Sequence, residues 1–473
     1  MKELLLKAIL YYNYFVLGYY TVANVSYLFL LGAAGWVIVA NQLRLSYGKY
    51  QENLHPSTAP PVSVLLSAYN EEATIVEAVK SLLRLNYPSY EIIVINDGSK
   101  DSTLERLKDG LKLKRTNIIY RHVLTTAKVR GFYTNPETPN LIAVDKEHSG
   151  KSDSLNCGIN VSRSPYFCSI DADSVIEKNA LVQLMRPIIE EPDVVKATGG
   201  IVRILNGCAV KEGKVVNVAL PGDSLSRLQI VEYIRSFLFG RAGLGALNLL
   251  LIISGTFSMF EKRAVIAAGG YDLDTVTEDM ELVVRLHKNL LESGKKYRIN
   301  FVPEPICWTE APMDLNMLKR QRRRWHLGLA ESLYKYRKML FNPRYGRIAF
   351  FGLPYQLFIE LLGPVIELLG YFVVAISMYL GIVDVRFFGL FLFMAVCVGV
   401  FFSTGSVLLE EITFRRYPHF KDLFILLFYG VLENFGYRQL NSLWRTHAVL
   451  KFLFTREKKW EYVKKTGVAT EDA

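Results

Sequence analysis

The sequence is short of the residues that staple small folds or hold structural metals. Five cysteines occur in 473 residues, Cys157, Cys168, Cys208, Cys307 and Cys397, an odd number with no Cys-x-x-Cys pair. That excludes a disulfide framework and gives no zinc site, and it places the bulk of the chain in a reducing, cytosol-like compartment. Charge is also scarce: Asp, Glu, Lys and Arg make up 21% of the residues against 51% hydrophobic, with a mean hydropathy of +0.18. Such a composition excludes disorder and is too apolar for a purely soluble enzyme. Around Lys151 the Gly-x4-Gly-Lys spacing of an ATPase loop is missing, so an ATPase reading fails on the residues. The basic excess, 56 Lys and Arg over 45 Asp and Glu for a net charge of +11, comes without a nucleic-acid recognition motif. A lipid bilayer with anionic headgroups, and no nucleic acid, is the partner it implies.

What the sequence does have is long uncharged stretches. Tyr11 to Asn41 carries no ionised side chain and exceeds the roughly 20 residues needed to cross hydrocarbon, as one tilted helix or as a hairpin. Leu361 to Gly381 carries only Glu367, and Phe387 to Leu409 carries no charge; both are span candidates. A third stretch, Leu423 to Trp444, is interrupted by Glu433 and Arg438. Asp384 and Arg386 fall in the connection between the two clear candidates, whereas Arg415, Arg416 and Lys421 follow the second, which puts the latter loop in the cytosol. The basic tail (Lys451, Arg456, Lys458, Lys459, Lys464, Lys465) is expected on anionic headgroups.

Between these segments the pattern changes. His55, Pro56, Pro60 and Pro61 mark a linker. Val62–Tyr69 and Glu91–Asp97 are short apolar runs, Ala73–Leu85 and Ser102–Leu111 have helical spacing, and the alternation predicts a mostly parallel sheet with helices on its faces. Ligands in such sheets bind beyond the strands' carboxyl ends. Tyr69-Asn70-Glu71 and Asn96-Asp97-Gly98 fall there, although turns use the same residues routinely. Gly150-Lys151 opens a helix, and the strand Tyr166–Ile170 runs into Asp171-Ala172-Asp173. Two carboxylates at a strand end, after a lysine, suit Mg²⁺ or Mn²⁺ carrying a diphosphate. Thr277-Glu278-Asp279 opens a further helix over Met280–Leu291, where acidic residues also serve as caps. Gln321-Arg322-Arg323-Arg324-Trp325 lies in a helix predicted over Leu315–Leu340. It reads as a basic interfacial surface or as a sugar-stacking Trp beside a guanidinium.

Taken in order, Ser67-Ala68-Tyr69-Asn70-Glu71, Asn96-Asp97-Gly98-Ser99, Gly150-Lys151-x-Asp153-x-Leu155-Asn156, Asp171-x-Asp173, Thr277-Glu278-Asp279 and Gln321-x-x-Arg324-Trp325 resemble membrane-embedded family 2 glycosyltransferases. These are the processive synthases of cellulose, hyaluronan and poly-N-acetylglucosamine, and Asn-Asp-Gly-Ser with Thr275-Val276-Thr277-Glu278-Asp279-Met280 is most similar to the last branch. The resemblance covers about 60–460. It implies an α/β fold with a GT-A-like, Rossmann-type catalytic domain, amphipathic interface helices and transmembrane helices. The expected division is an N-terminal membrane segment (1–50), a cytosolic catalytic domain (51–310), an interface helix (311–345), a C-terminal transmembrane and interface region (346–450) and a basic tail (451–473).

The same resemblance implies the roles. Ala68, Tyr69, Glu71 and Asp97 hold the nucleoside of a UDP-sugar, Lys151, Asp153 and Asp171 line the nucleotide pocket, and Asp171 and Asp173 position Mg²⁺ or Mn²⁺, with Asp173 favoured as the direct ligand. Glu278 and Asp279 are catalytic, Asp279 as general base towards the growing glycan. Arg324 meets the diphosphate, Trp325 floors the acceptor sugar and Gln321 supports them. The expected activity is inverting polymerisation of a β-linked polysaccharide at the cell membrane by a multi-pass protein with its catalytic domain in the cytoplasm. Single-sugar transfer to a lipid-linked acceptor and a non-catalytic membrane scaffold are the alternatives. Lys128–Lys146 reads as an insertion, Asn206–Leu220 as a hairpin, and Leu225–Ile253 as an amphipathic interface helix followed by a strand; together with Leu315–Leu340 it is expected to dock the catalytic domain under the membrane helices. No regulatory domain is expected after residue 450.

Overall fold

The computed structural model describes residues 2–48, 59–381, 385–417 and 419–455. Most of the expected linker, including His55 and Pro56, Asp384, and the basic tail from Arg456 onward lie outside the described residues. The chain folds as two compact units. Among the described residues, one comprises Ile38–Gly222 and Gly245–Ala311; the other is built from those up to Val37, Asp223–Leu244 and those from Pro312 onward.

Helix α1 (Lys2–Gly48) opens the chain as one continuous element, which decides between the single helix and the hairpin. The sheet unit then follows strand–helix alternation: β1 (Val62–Ala68), α2 (Ile75–Leu83), β2 (Tyr90–Asn96), α3 (Thr103–Gly110), β3 (Lys114–Thr116), β4 (Val129–Asn135), β5 (Thr138–Lys146), α4 (Lys151–Val161), β6 (Tyr166–Asp171), β7 (Ser174–Ile176), α5 (Ala180–Glu190) and β8 (Val195–Ile204). After the hairpin β9 (Ala209–Lys211) and β10 (Lys214–Asn217), helices α6 (Ser224–Ile234) and α7 (Ala242–Ala246) flank a π-helical turn. Then β11 (Phe257–Glu261), α8 (Lys262–Ala267), α9 (Glu278–Glu292) and β12 (Arg298–Thr309) complete the sheet unit.

The ten-stranded sheet has the order β3-β4-β5-β2-β1-β6-β11-β8-β12-β7. Its run β5-β2-β1-β6 is parallel throughout, as the βαβ pattern predicts, with antiparallel β4 and β11 on either side. Strands buried on both faces read as unbroken apolar runs, and Ile92, Ile93, Val94 and Ile95 of β2 are all fully buried. Each such side chain contributes about 1.5–3 kcal/mol of burial. Helix α2 buries Ile75, Ala78, Val79 and Leu82, the i, i+3, i+4, i+7 stripe of a helix lying on a sheet. Helix α4 approaches more closely because Gly158 has no side chain: a Cβ there would sit 3.0 Å from Leu65 Cδ2 and 3.1 Å from Ile95 Cδ1. In register, Ala68 faces Asn96, Asn96 faces Asp145, and Ser67 faces Asp171. Four carboxyl ends therefore lie level at one sheet edge.

Two sequence expectations change here. Lys128–Lys146 is no appendage but the β4–β5 hairpin, and β5 pairs in parallel with β2 as part of the main sheet. The strand expected within Leu225–Ile253 is absent: helix continues to Ala246, Asn248 turns the chain at a φ of 55°, and the apolar run that follows has no ladder partners until β11 begins at Phe257. The Asn206–Leu220 hairpin is present, its turn made by Glu212 and Gly213 with φ of 49° and 72°. Two successive positive φ values match the right-handed twist of the flanking strands.

In the helical unit, α10 (Leu315–Lys335) is capped by Asp314, whose carboxylate accepts from Asn316 N at 2.8 Å and Met317 N at 3.1 Å. Helices α11 (Gly363–Tyr379), α12 (Val385–Leu392), α13 (Val398–Thr413), α14 (Phe420–Leu432) and α15 (Tyr437–Thr455) follow. Among the described residues three helical stretches are long and apolar enough to cross a membrane: Lys7–Asn41, Ile348–Tyr379 and Val385–Thr413. The expected third C-terminal stretch, Leu423–Trp444, is instead broken into α14 and α15 around Gly436, whose φ is 94°. The two charges that interrupt it are partnered inside the unit: Glu433 with Arg235 at 3.4 Å, and Arg438 with Glu367 at 3.1 Å. Unpaired charge away from water is costly enough that such partners are required.

Candidate active site

The loops after β1 and β2 are stitched together by side chains that turns favour. Asn70 adopts a φ of 56°, its N–H donates to Ser99 Oγ at 3.0 Å, and its Oδ1 accepts from Lys100 N at 2.8 Å. Glu71 N donates to Thr103 Oγ1 at 2.8 Å, and Thr74 Oγ1 donates to Glu71 Oε2 at 3.0 Å. Ala68 is buried at the end of β1, its carbonyl accepting from Asp97 N at 2.9 Å. Tyr69 lies against His148, ring centroids 4.2 Å apart and planes 24° from parallel.

Asp97 is held on both oxygens. Oδ1 accepts from Lys146 Nζ and from Ser149 N at 3.1 Å; Oδ2 accepts from Gly150 N at 2.8 Å and lies 2.8 Å from His148 Nδ1. A carboxylate offers about four acceptor sites, and three are engaged on a residue that is 1% exposed. Asp97 therefore organises the loop that opens α4. Lys146 also pairs with Asp153 at 2.8 Å, and Asp153 accepts from Ala127 N at 3.0 Å. Lys151 and Asp153 have different partners within the chain, because positions two apart on a helix do not share a face. Sequence reasoning missed Lys146 and His148, whose partner Asp97 lies 49 and 51 residues away.

Lys151 points to the other cluster. Its Nζ lies 2.6 Å from Asp171 Oδ1, 3.0 Å from Glu278 Oε1 and 3.3 Å from Gly255 O. Burial pulls the ammonium pKa down, but Asp171, Glu278 and Asp279 outweigh it and hold the group charged. Asp279, in the first turn of α9, accepts from Gly255 N at 3.0 Å through Oδ2 and from Met280 N at 2.8 Å through Oδ1. Loss of water and the neighbouring Glu278 carboxylate raise its pKa, against the opposing pull of Lys151 and the two N–H groups. Thr256 Oγ1 donates to Asp171 Oδ2 at 3.0 Å. The segment Ser254-Gly255-Thr256 thus ties Lys151, Asp171 and Asp279 into one cluster, which the sequence reading did not foresee.

Among the described residues no three His, Cys, Asp or Glu side chains form a metal-holding group. Asp171 and Asp173 nevertheless fit a nucleotide-borne divalent ion: they are hard oxygen donors, and Mg²⁺ is commonly held by one or two carboxylates with phosphates completing the shell. Asp171 is engaged with Lys151 and Thr256, whereas Ser174 Oγ donates to Asp173 Oδ1 at 3.2 Å. Burial pushes the nearby Cys307 thiol well up, so it adds no soft thiolate to the set.

Gln321, Arg324 and Trp325 lie on α10 in the helical unit. Trp325 is 37% exposed, and Gln321 Oε1 is a buried acceptor without a hydrogen-bond partner. Their neighbour Arg322 is buried, with Nη2 2.8 Å from Glu232 Oε2 of α6 and its Cζ 4.5 Å over the Trp325 ring. Glu232 also accepts from Tyr437 Oη at 2.7 Å and pairs with Arg445 at 3.4 Å. Burial would raise the Glu232 pKa, but Arg322 and Arg445 hold it below the usual carboxylate range.

Comparison with known proteins adds the family. A model described as "Glycosyl transferase family 2" matches residues 63–207, and one described as "Glycosyl transferase family group 2" matches residues 166–403, just over half of the chain. A poly-beta-1,6-N-acetyl-D-glucosamine synthase of Staphylococcus aureus (strain COL) is 28% identical over 331 residues, 69% of this chain and 66% of that protein. The synthase of the same name from Staphylococcus epidermidis is 30% identical over the same coverage. The match spans 66% of these relatives' own length, just under two thirds. A solved mannosyltransferase from Pyrobaculum calidifontis, in complex with GDP-Man and Mn²⁺, superposes with a TM-score of 0.52 at 14% identity, covering 93% of this chain and 100% of that one. That likeness is one of fold, and it bears out the expected GT-A-like class.

Proposed function

The chain belongs to glycosyl transferase family 2, and on that premise we propose that it lengthens a β-linked polysaccharide from a nucleotide-sugar donor by direct displacement. It is a glycosyltransferase, and the three helical stretches long and apolar enough to cross a membrane among the described residues support its reading as a membrane protein. The observation that carries the proposal is Asp279: a half-buried carboxylate of raised pKa, fixed by two backbone N–H groups and joined through Gly255 and Lys151 to Asp171 at the sheet's ligand edge. Two of its roughly four acceptor sites remain for a substrate hydroxyl.

In the proposed reaction the acceptor hydroxyl gives its proton to Asp279 as its oxygen forms a bond to the anomeric carbon. The bond from that carbon to the diphosphate breaks, and the nucleoside diphosphate leaves with the electron pair. Attack opposite the leaving group turns an α-linked donor into a β-linked product. A raised pKa suits a general base, because it strengthens the acceptor of the proton. Lys151 holds positive charge beside the departing diphosphate. Asp171 and Asp173 would hold Mg²⁺ or Mn²⁺, which supplies charge neutralisation to the leaving group. Tyr69 and Glu71 serve the nucleoside, and a UDP-sugar is the proposed donor. Gln321, Arg324 and Trp325 serve diphosphate and acceptor.

The poly-beta-1,6-N-acetyl-D-glucosamine synthases to which the chain is similar make N-acetylglucosamine the first sugar to test and favour a polymer over single transfer. The chain is proposed to be multi-pass, with the sheet unit on the cytoplasmic side where nucleotide sugars are made, and to pass its product across the membrane. Purified protein is to be incubated with UDP-N-acetylglucosamine and other nucleotide sugars, with Mg²⁺ or Mn²⁺. Release of UDP with glycan growing beyond one added residue is the expected result. Single addition to a lipid carrier would replace polymerisation, and no turnover with any donor would leave the scaffold reading.

A further inference from the structure

Of the three consecutive arginines at 322–324, only Arg322 is buried, and its guanidinium is engaged on two sides. One side is the ion pair with Glu232 at 2.8 Å; the other is the Trp325 ring, 4.5 Å from its Cζ. Residues three apart on a helix share a face, so the stack follows from the spacing once Arg322 is pinned. The pin is well made: Glu232 also takes a hydrogen bond from Tyr437 Oη at 2.7 Å and pairs with Arg445 at 3.4 Å. Leu318, Tyr437 and Trp444 pack around it with Leu225, Leu228 and Leu440. Three helices, α6, α10 and α15, thus converge on one guanidinium whose outer face carries an exposed indole.

We propose that Arg322 is a positioning residue for the acceptor: held by Glu232, it fixes the Trp325 ring as a rigid stacking platform for a sugar, while taking no part in diphosphate binding. The inference rests on the reading of Trp325 as an acceptor floor. A mobile indole must lose its rotamer freedom each time a sugar docks, whereas a ring already stacked on a fixed cation has lost it. Desolvation strengthens the stack, since cation–π attraction is larger when the cation is out of water. Lysine cannot substitute, because its ammonium is a point charge without a planar face and cannot present the same two-sided fork.

The test compares wild type with Arg322→Lys and with the double variant Arg322→Met/Glu232→Gln, which removes both buried charges together; Arg445, which also loses Glu232, is partly exposed and returns its charge to water. Full-length protein is labelled with 5-fluorotryptophan, and the Trp325 resonance is identified by its loss in Trp325→Phe. Both arginine variants are expected to shift and narrow that ¹⁹F signal as the ring becomes mobile. They should also raise the KM for β-1,6-linked N-acetylglucosamine oligomers on the order of tenfold, with UDP affinity unchanged. An unaltered Trp325 resonance in a folded, monodisperse variant overturns the positioning role, and so does a loss of UDP affinity, which would put Arg322 on the diphosphate. The resonance reads the stack even without turnover. If wild type transfers no sugar while the signal shifts as expected, the functional reading fails and the stack stands.

Discussion

Gly255 N lies 3.0 Å from Asp279 Oδ2, and a Cβ on Gly255 would come within 3.3 Å of that oxygen and 3.2 Å of Lys151 Nζ. Contacts of that length force one neighbour to move, and both neighbours are charged groups held in place by other partners. Gly255→Ala is therefore expected to displace the base or the ammonium by a fraction of an ångström and lower turnover about 10- to 100-fold, since small misplacements in a reacting constellation are that costly. Steady-state rates check it; wild-type turnover would mean that the segment has slack.

Asp279→Asn removes the proton acceptor but keeps its size and part of its hydrogen bonding. Turnover should fall by roughly 10²–10⁴-fold with donor affinity nearly intact, measured by separate rate and binding assays. The pKa direction gives a second readout. A carboxyl whose pKa is raised in the folded state favours the protonated folded form, so its ionisation costs stability at neutral pH. This cost disappears below the ordinary carboxylate range, where the group is protonated in both states. Asp279→Asn should thus melt higher than wild type near pH 7 and lose that advantage as the pH falls. Wild-type turnover should decline with acidity, starting above the ordinary carboxylate range.

Much of this cluster was legible because chemistry and periodicity coincide in it. Asp171 ends an apolar strand and Asp279 begins an amphipathic helix, so each carboxylate sits where a short-range pattern changes. Gly255 was not legible: Ser-Gly-Thr after an apolar run is ordinary turn composition, and its value lies in two residues, Lys151 and Asp279, far along the chain. Burial was equally hidden. Asp97 and Asp171 both end a strand or follow one, yet Asp97 is 1% exposed and Asp171 is not among the buried residues. The difference is made by Lys146 and His148 on the strand and loop that return beside β2.

Asp171→Asn and Asp173→Asn each remove an oxygen donor that fits a nucleotide-borne divalent ion. Donor affinity is expected to fall in the presence of Mg²⁺ or Mn²⁺ and to differ little from wild type in excess chelator, as read by titration calorimetry. Asp171→Asn should also loosen Lys151, its 2.6 Å partner, and so lower turnover further than its effect on affinity. Full activity of wild type in chelator would remove the metal from the reaction.

Asp97 offers the clearest separation of structural from substrate-binding roles. Its carboxylate, the Lys146 ammonium and the Asp153 carboxylate form a triad in which Lys146 is 0% and both acids are 2% exposed as side chains. Breaking a buried pair by removing one partner costs about 3–5 kcal/mol, because the remaining charge has no water to return to. Asp97→Asn weakens the pairing with the Lys146 ammonium and the acceptance of the Ser149 and Gly150 N–H groups, so the loop that presents Lys151 should come apart. The expected outcome is a large fall in melting temperature, with donor affinity recovering when the variant is assayed well below that melting point. Asp97→Ala should be at least as unstable, and Lys146→Met should be destabilised similarly despite never having been a substrate ligand. A variant at Asp97 that melts like wild type but has lost donor affinity at every temperature would reverse the assignment and make this carboxylate a nucleoside contact.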